Sequence, residues 1–431
     1  MRPAPVLLAA LLVAAGPLRA GGEEPAGWPQ WGGPLRNAAS PATAVFGSGT
    51  FRLREVWRRP AGGGISAFAT AGGRLFFLAA EGESRYAFAL SADTGAELWR
   101  VALAPTPAVL EFGPASTPAT DGRLAFFLSP ACELMALAVA TGKSVWRHDL
   151  KQEFATGPMT SGCWTSPLLA GKLLVVDVDG EPDKRVVAFD KDTGAVIWSA
   201  AASVRLSPRT SPAIADLAGV PQVLVHDATD DDGGGLLGLR LADGALLWSL
   251  RFKVLNSYSF DMPIALPGDR IAAVTWSDLR VFAIRKQGAS LAAVPLWSTH
   301  DVRAELQPFS YHAVYYDGHV YGIGGDYLSC LDAETGKTVW KEKVYRSSLI
   351  LVDRHLVLVP QASGILRIVE ATPAGYREQA RAAVFPPGEP TDTPASFAGR
   401  RLYLRSSEQM VALDVVAEAA SAPPAPRRAR P

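Results

Sequence analysis

The sequence predicts an all-β fold, an eight-bladed β-propeller of four-stranded antiparallel blades in which an N-terminal strand closes the ring. Three observations support this prediction: a motif with Gly four residues before Trp, successive tryptophans 43 to 52 residues apart, and short apolar strands on both sides of each motif. A repeat of about 40 to 50 residues is the length of one propeller blade. Complete copies of the motif begin at Gly95, Gly142, Gly194, Gly244 and Gly336.

Each repeat contains the same local signals in the same order. A turn such as Asp192-Thr193-Gly194 offers a side-chain acceptor and then a Gly that accepts positive φ, so its flanking strands form an outer hairpin, C and D. An apolar strand B precedes this hairpin, and before it comes a strand A that often opens with Ser or Thr followed by Pro. Eight such openings are expected, near Ser66, Thr117, Thr165, Thr210, Asp261, His312, Ser348 and Thr393.

The eighth blade lacks an outer strand of its own, because the repeat pattern ends near Asp414 after three strands. Residues 51–58, which place Trp57 42 residues before Trp99, supply the missing strand in our prediction. A strand from the other terminus closes the ring and removes the exposed edges of an open sheet. One propeller therefore accounts for residues 51–414, although the length of the chain would allow two or three domains.

The two ends of the chain have different compositions. Residues 1–20 are interpreted as a signal peptide, with Arg2 before an apolar run at 6–15 and a cleavage point after Ala20. That run is too short to cross a bilayer, so we expect a periplasmic or secreted protein without a membrane span. Residues 21–50 form an N-terminal extension, and the Ala, Pro and Arg-rich residues 415–431 are predicted to be a disordered tail.

Charge and cysteine content exclude several classes of protein. The 42 Lys and Arg residues equal the 42 Asp and Glu residues, so no positive surplus is available to neutralise nucleic-acid phosphates. A disulfide-stapled scaffold is excluded, because the chain is long enough to build a large core. The three cysteines leave two alternatives, one disulfide with a free thiol or three buried thiols: Cys132, Cys163 and Cys330. We expect a monomer.

The Gly-x-x-x-Trp repeats, together with the segment WPQWGGP at 28–34, resemble the PQQ-like (pyrroloquinoline quinone) repeat propeller family. That family includes quinoprotein alcohol dehydrogenases and the propeller component of the outer-membrane β-barrel assembly machinery. The resemblance implies the fold but not one function, since a fold hosts many functions. It also implies that the repeated Trp packs between neighbouring blades, a role we assign to Trp57, Trp99, Trp146, Trp198, Trp248, Trp297 and Trp340.

The resemblance raises the possibility of redox chemistry. Quinone-dependent members bind the cofactor and calcium at the ring axis, beside an adjacent Cys-Cys disulfide, a Glu/Asn/Asp metal set and a catalytic Asp. This sequence has no Cys-Cys pair and no C-x-x-C-H haem signature. Two acidic loops, residues 177–183 and 230–233, lack the full calcium-loop pattern and are interpreted as solvated turns. We therefore predict no catalytic residue, no metal ligand and no cofactor, with PQQ and calcium as the alternative.

A binding site is expected where the connectors into the A strands converge around the axis. The longest connector, 147–164, ends in Trp164. Aromatic side chains beside Arg and His are typical of ligand anchors, although each could instead be a polar cap on strand A. The predicted function is an exported non-catalytic propeller that binds or scaffolds an envelope protein segment or glycan; the alternative is a divergent PQQ/calcium-dependent quinoprotein oxidoreductase. The predicted ligand-binding residues are Trp164, Thr165, Arg209, Asp261, Tyr311 and His312.

Overall fold

The computed structural model describes most of the chain as one ring of antiparallel sheets. In the described part, eight sheets of four blade strands each are connected A to B to C to D, so the predicted fold is confirmed. The predicted signal peptide lies outside the described residues. Those residues are 27–46, 51–106, 113–155, 163–178, 180, 184–201, 210–229, 233–252, 262–274, 278–288, 290–299 and 313–417.

Blades 1 to 4 each take their four strands from one continuous stretch of chain. In chain order these strands are β3 (Ala69–Ala71), β4 (Arg74–Glu81), β5 (Ser84–Ser91) and β6 (Glu97–Ala102); β7 (Ala119–Thr120), β8 (Leu124–Leu128), β9 (Glu133–Ala138) and β10 (Ser144–Asp149); β11 (Leu168–Ala170), β12 (Leu173–Asp177), β13 (Val186–Asp190) and β14 (Val196–Ala200); and β15 (Ala213–Leu217), β16 (Val220–Thr229), β17 (Gly233–Arg240) and β18 (Leu246–Phe252).

Blades 5 to 7 follow the same plan, and blade 8 combines both ends of the described chain. The strands are β19 (Ile264–Leu266), β20 (Arg270–Val274), β21 (Leu279–Gln287) and β22 (Ser290–Ser298); β23 (Val314–Tyr316), β24 (His319–Gly324), β25 (Tyr327–Asp332) and β26 (Thr338–Lys343); β27 (Ser347–Val352), β28 (His355–Pro360), β29 (Ile365–Glu370) and β30 (Glu378–Ala383); and β31 (Ser396–Ala398), β32 (Arg401–Arg405) and β33 (Gln409–Ala417) with β2 (Phe51–Pro60).

The ring closes where β2 pairs antiparallel with β33, in a register that joins Phe51 to Ala417 and Pro60 to Gln409. Arg54 supports the pairing by donating from Nη2 to Asp414 Oδ2 at 2.9 Å. Strand β33 extends three residues past the predicted end of the propeller, because its last residues still have β2 as a partner. The N-terminal strand thus completes the outer edge of blade 8.

The tryptophans join each blade to the next one. In six of the seven cases the indole N–H donates to a backbone carbonyl of the next blade, as Trp99 does to Val139 at 2.9 Å. Five of these rings also lie against the turn Gly of that blade, where only hydrogen leaves room for the indole. The six pairs are Trp57 to Ala92, Trp99 to Val139, Trp146 to Lys191, Trp198 to Leu241, Trp297 to Ala333 and Trp340 to Thr372.

Two blades, 4 and 7, depart from this pattern. The C–D turn of blade 5 contains Gly288, but no indole lies against it, and Trp248 of blade 4 donates to Gln222 Oε1 of its own blade at 2.7 Å. In blade 7, Ala380 occupies the Trp position, as its pairing with Ile368 shows. The next blade there is blade 8, whose C and D strands come from opposite ends of the chain and share no turn.

Residues 28–46, here called the N-terminal strap, cross the face of the ring that carries the A–B turns, here called the turn face. The strap bonds to the ends of the A strands: Thr70 N–H donates to the Trp28 carbonyl and Thr120 N–H to the Pro29 carbonyl, both at 2.8 Å. Its short strand β1 (Ala39–Ser40) then pairs parallel with β27 of blade 7. The sequence predicts residues 21–50 as an N-terminal extension, and the structure places residues 28–46 of it against the ring.

The strap is held at its far end as well. Asp353, in the A–B turn of blade 7, accepts hydrogen bonds from the Val45 and Phe46 N–H groups at 2.7 and 3.1 Å. At the centre of the face, Trp31 packs with Met262, and a methyl group at Gly32 would lie 2.2 Å from the Met262 Cε atom. The strap therefore covers the turn face.

Helical structure is minor. The helix α1 (Leu150–Phe154) follows β10, and Asp149 caps it by accepting from the Lys151 and Gln152 N–H groups. Among the residues that the structure describes, no helix has the length and apolar character needed to cross a bilayer.

Candidate ligand-binding site at the connector face

The face opposite the strap, here called the connector face, carries the openings of the A strands. Six blades place a hydroxyl residue at the same point where the chain enters strand A, and all six residues are buried. Because the A strands are the innermost strands of the ring, these residues surround the axis. We call them the hydroxyl ring: Ser66, Ser116, Thr165, Thr210, Ser347 and Thr393.

In several blades the residue after the hydroxyl-ring residue is also Ser or Thr, and its hydroxyl accepts a hydrogen bond from the neighbouring blade. Ala67 N–H donates to Thr117 Oγ1 at 3.0 Å, Thr117 N–H to Ser166 Oγ at 3.0 Å, and Ser166 N–H to Ser211 Oγ at 2.9 Å. These bonds explain the Ser/Thr-Pro openings seen in the sequence: one hydroxyl satisfies a backbone donor of the preceding blade, and Pro needs no donor partner of its own.

The hydroxyl ring itself has unused hydrogen-bonding capacity. The Oγ atom of Ser116 and the Oγ1 atom of Thr165 are buried and have no hydrogen-bond partner. Buried polar atoms in native proteins are usually paired, so unpaired hydroxyls at an axis are candidates for contact with a ligand or a bound water. The ring can therefore offer donors and acceptors to a polar group that reaches the axis.

One residue further out, three blades place larger side chains at equivalent positions. Trp164 precedes Thr165, Arg346 precedes Ser347 and Asp392 precedes Thr393. Trp164 is 8% exposed, whereas Arg346 is exposed to solvent. Asp392 accepts from Gln361 Nε2 at 3.1 Å; burial raises the pKa of its carboxyl, and the positive charge of Arg346 acts in the opposite sense. An aromatic ring, a cation and an anion thus surround the hydroxyl ring.

A disulfide anchors the connector that leads to Trp164. Cys132 and Cys163, which are 31 residues apart, form this bond, and Cys330 is a buried free thiol. Of the two alternatives left open by the sequence, the structure has the first. Cys163 N–H also donates to the Pro130 carbonyl at 3.3 Å, which ties the connector to the B–C turn of blade 2. The segment at Trp164 is therefore fixed to the blade beside it.

Helix α1 supports the same connector from its other end. His148 bridges the Glu153 carboxylate at 2.6 Å and the Gly194 carbonyl of blade 3 at 2.8 Å. Phe154 packs in one apolar cluster with both disulfide cysteines. The beginning and the end of this connector are thus held against blades 2 and 3.

The structure brings two of the six predicted ligand-binding residues together, Trp164 and Thr165, as neighbours at the opening of blade 3. The other four, Arg209, Asp261, Tyr311 and His312, lie outside the described residues. Arg346 and Asp392 are not among the predicted ligand-binding residues, although the sequence predicts A-strand openings near Ser348 and Thr393. Aligning the residue before each predicted opening with Trp164 finds Asp392 but not Arg346, because the opening predicted at Ser348 lies one residue beyond the equivalent position, Ser347.

The acidic loops differ from the prediction at one point. Asp177, at the end of β12, is 3% exposed and is not a solvated turn residue. Residues 230–232 lie outside the described part. Within the described residues, no group of three or more His, Cys, Asp or Glu side chains is arranged to hold a metal ion.

Comparison with known proteins agrees with this architecture. The family model described as outer membrane protein assembly factor BamB matches residues 83–342, more than half of the chain. The chain belongs to this family of PQQ-like repeat propellers. A curated relative, polyvinylalcohol dehydrogenase of Sphingopyxis sp. (strain 113P3), is 30% identical over 27% of this chain and 23% of its own length. The chain therefore matches less than a quarter of that relative.

Solved structures show the same fold at low sequence identity. Quinohemoprotein alcohol dehydrogenase from Comamonas testosteroni superposes with a TM-score of 0.65 at 13% identity, over 94% of this chain and 82% of that one. Quinohemoprotein alcohol dehydrogenase ADHIIG from Pseudomonas putida HK5 gives 0.65 at 12% identity, over 95% and 83%. The computationally designed Ika8 protein gives 0.58 at 11% identity, over 84% and 100%. These likenesses concern the fold.

The disulfide of this PQQ-like repeat propeller differs from the adjacent Cys-Cys pair that the resemblance to quinone-dependent members implies. The Cys132–Cys163 disulfide joins residues far apart in sequence, and both are at most 1% exposed inside an apolar cluster of blades 2 and 3. It therefore has no free face to offer a planar cofactor, unlike the adjacent Cys-Cys pair of the quinone-dependent family members. The acidic donors for a metal ion are not assembled in the described part either.

Proposed function

We propose that this protein is an exported, non-catalytic propeller that binds a protein segment or a glycan of the cell envelope at its connector face. One observation carries the proposal: the strap covers the turn face, whereas the connector face presents the hydroxyl ring with unpaired hydroxyls at Ser116 and Thr165. A ligand that approaches the axis would therefore meet hydrogen-bonding groups from the connector side. Trp164, Arg346 and Asp392 supply mixed contacts around it.

The family match supports a protein segment as the ligand. The matching model is described as an outer-membrane assembly factor, which is a role in handling other proteins. Export of the chain after cleavage at Ala20, into the periplasm or the medium, belongs to the same proposal, and so does a monomeric state. N-terminal sequencing of the protein from the envelope fraction tests the cleavage point; an uncleaved N-terminus in the cytoplasm would contradict export.

Pull-down from an envelope extract with matched variants tests the binding face. The mature protein is compared with Arg346→Glu and Asp392→Asn on the connector face and with Leu35→Ser on the strap, where Leu35 is 60% exposed. We expect a captured component that both connector-face variants lose and the Leu35→Ser variant keeps. If the Leu35→Ser variant loses it instead, or all variants keep it, the ligand binds elsewhere and the proposal is wrong.

A divergent PQQ/calcium-dependent oxidoreductase is the second candidate, favoured by the partial match to a polyvinylalcohol dehydrogenase. Addition of PQQ and calcium chloride to the purified protein, with an artificial electron-acceptor dye and primary or polymeric alcohols, tests it. We expect no quinone absorbance retained after gel filtration and no alcohol-dependent dye reduction. Retained quinone with dye reduction would replace the first proposal by the second.

A further inference from the structure

The strap carries a buried cation into the centre of the ring. Arg36 is 1% exposed, and its Nη1 and Nη2 atoms donate to the Pro167 carbonyl at 2.7 Å and the Ser166 carbonyl at 3.1 Å. A third contact, to Gln30 Oε1, is 3.4 Å long. All three acceptors are neutral, and none of the described residues forms an ion pair with Arg36. Burial lowers its pKa to about 9, so the guanidinium is still positive at neutral pH.

Arg36 and two residues in the same network of contacts carry buried donors that have no partner. The Nε atom of Arg36 is buried without a partner, and so are Thr165 Oγ1 and Ser116 Oγ. Thr165 adjoins Ser166, which accepts from Arg36, and Ser166 Oγ accepts from the Thr117 N–H beside Ser116. Ser166 therefore links the three residues: it bonds to Arg36, is the chain neighbour of Thr165, and accepts from Thr117, the chain neighbour of Ser116.

Arg405 shows what a purely structural buried arginine looks like in the same protein. It is fully buried, and its guanidinium lies 5.5 Å from the centre of the Phe77 ring. Its Nε is also unpaired, but the neighbouring Ser66 hydroxyl accepts from Leu78 N–H. The Nη atoms of Arg405 reach five backbone carbonyls, those of Ala61, Gly62, Gly63, Ser66 and Leu78.

We propose that Arg36, Thr165 and Ser116 form a binding site for a small oxyanion, the carboxylate or phosphate group of a ligand, at the ring axis. An oxyanion supplies acceptors for the three unpaired donors and a negative charge for the guanidinium, and charge-assisted hydrogen bonds of this kind are the strong ones. A buried cation without a counter-charge is costly, so the same anion stabilises the fold. This goes beyond the proposed binding of an envelope component.

Calorimetry on the mature protein with sodium phosphate, and separately with sodium acetate, tests the site at constant ionic strength. We expect saturable binding of at least one anion and a matching rise in melting temperature. Thr165→Val removes one donor at nearly constant volume and weakens binding roughly tenfold, since a hydrogen bond to a charged group contributes about that much. Preference for phosphate or for acetate identifies which group of the ligand the site accepts.

Ser348→Ala is the matched control, because Ser348 Oγ is also buried and unpaired but lies in blade 7, on the opposite side of the ring from blade 3. It is expected to leave anion binding unchanged. The absence of saturable binding for both anions would mean that water alone occupies the site, and the proposal would be wrong. An equal loss in Ser348→Ala and Thr165→Val would place the anion elsewhere. Neither result depends on the envelope pull-down.

Discussion

The Trp198 indole lies on Gly244, close enough that a methyl group at this glycine would meet the ring at 2.5 Å, while the indole N–H donates to the Leu241 carbonyl at 3.0 Å. The position of Trp198 in blade 3 therefore depends on two features of the turn in blade 4, its backbone conformation and the absence of a side chain at Gly244. Gly244 has φ +72°. The Gly and the Trp of the repeat therefore act on different blades, and each Trp depends on the Gly of the next repeat.

Gly244→Ala tests this dependence. The new methyl group clashes with the Trp198 ring and also has to accept positive φ, so we expect a loss of about 2 to 4 kcal/mol in the free energy of unfolding. Gly219→Ala is the control, because Gly219 has φ +77° but no atom near the position of the new methyl group. It is expected to lose about 1 kcal/mol. Urea unfolding measures both, and equal losses would show that the indole contact contributes nothing.

The Cys132–Cys163 disulfide is expected to stabilise the protein by about 2 to 4 kcal/mol, because it closes a loop of moderate length in the unfolded chain. The double variant Cys132→Ser/Cys163→Ser should melt at a lower temperature than the wild type. Strong reductant in denaturant followed by refolding should lower the wild type to the same level and leave the double variant unchanged. A Cys330→Ala variant that responds to reductant as the wild type does would confirm that the third thiol takes no part.

His226 is expected to make stability fall in mild acid. Burial lowers the pKa of this imidazole to about 4, whereas in the unfolded chain it titrates near 6.5. Below pH 6.5 the unfolded state therefore binds a proton that the folded state does not, and stability decreases until about pH 4. The loss amounts to about 3 kcal/mol at most. In His226→Gln the unfolding free energy should change less between pH 7 and 4.5; an unchanged slope would assign the acid sensitivity to other groups.

Asp353 is expected to fasten the strap. Its carboxylate accepts from two strap N–H groups, so Asp353→Ala should cost about 1 to 3 kcal/mol and expose residues 28–46 to limited proteolysis. Asp317→Ala is the matched control, because Asp317 occupies the corresponding A–B turn of blade 6 with the same φ of 44°. Its cleavage pattern should remain that of the wild type. Equal protection of the strap in both variants would contradict this role.

The repeat made the ring predictable because blade contacts are encoded locally and many times over. Gly95 and Trp99, for example, lie four residues apart and together mark one C–D hairpin, and the same spacing recurs in other blades. The closing strand was also predictable, since Trp57 keeps the repeat distance to Trp99. The position of a segment in the series of repeats therefore predicts its structure even in a blade whose own motif has changed.

The strap was not predictable for the opposite reason. Its contacts are hydrogen bonds to blade ends far away in sequence, such as Gln30 to Leu169 across 139 residues and Val45 to Asp353 across 308. No periodicity marks such a segment. The disulfide partners were undetermined because three cysteines allow several pairings until the chain is folded. The burial of Arg36 was not predictable from the sequence, because it results from the path of the strap.

The pairing of β2 with β33 has a consequence for biogenesis. The 360 residues between Arg54 and Asp414 must be synthesised before these two strands can meet. At bacterial-type elongation rates of about 5 to 20 residues per second, the first strand waits roughly 20 to 70 s without its partner. Throughout that time its polar edge is open to other chains. A host that makes this protein must therefore keep a long, unclosed intermediate apart from its neighbours until the last repeat emerges.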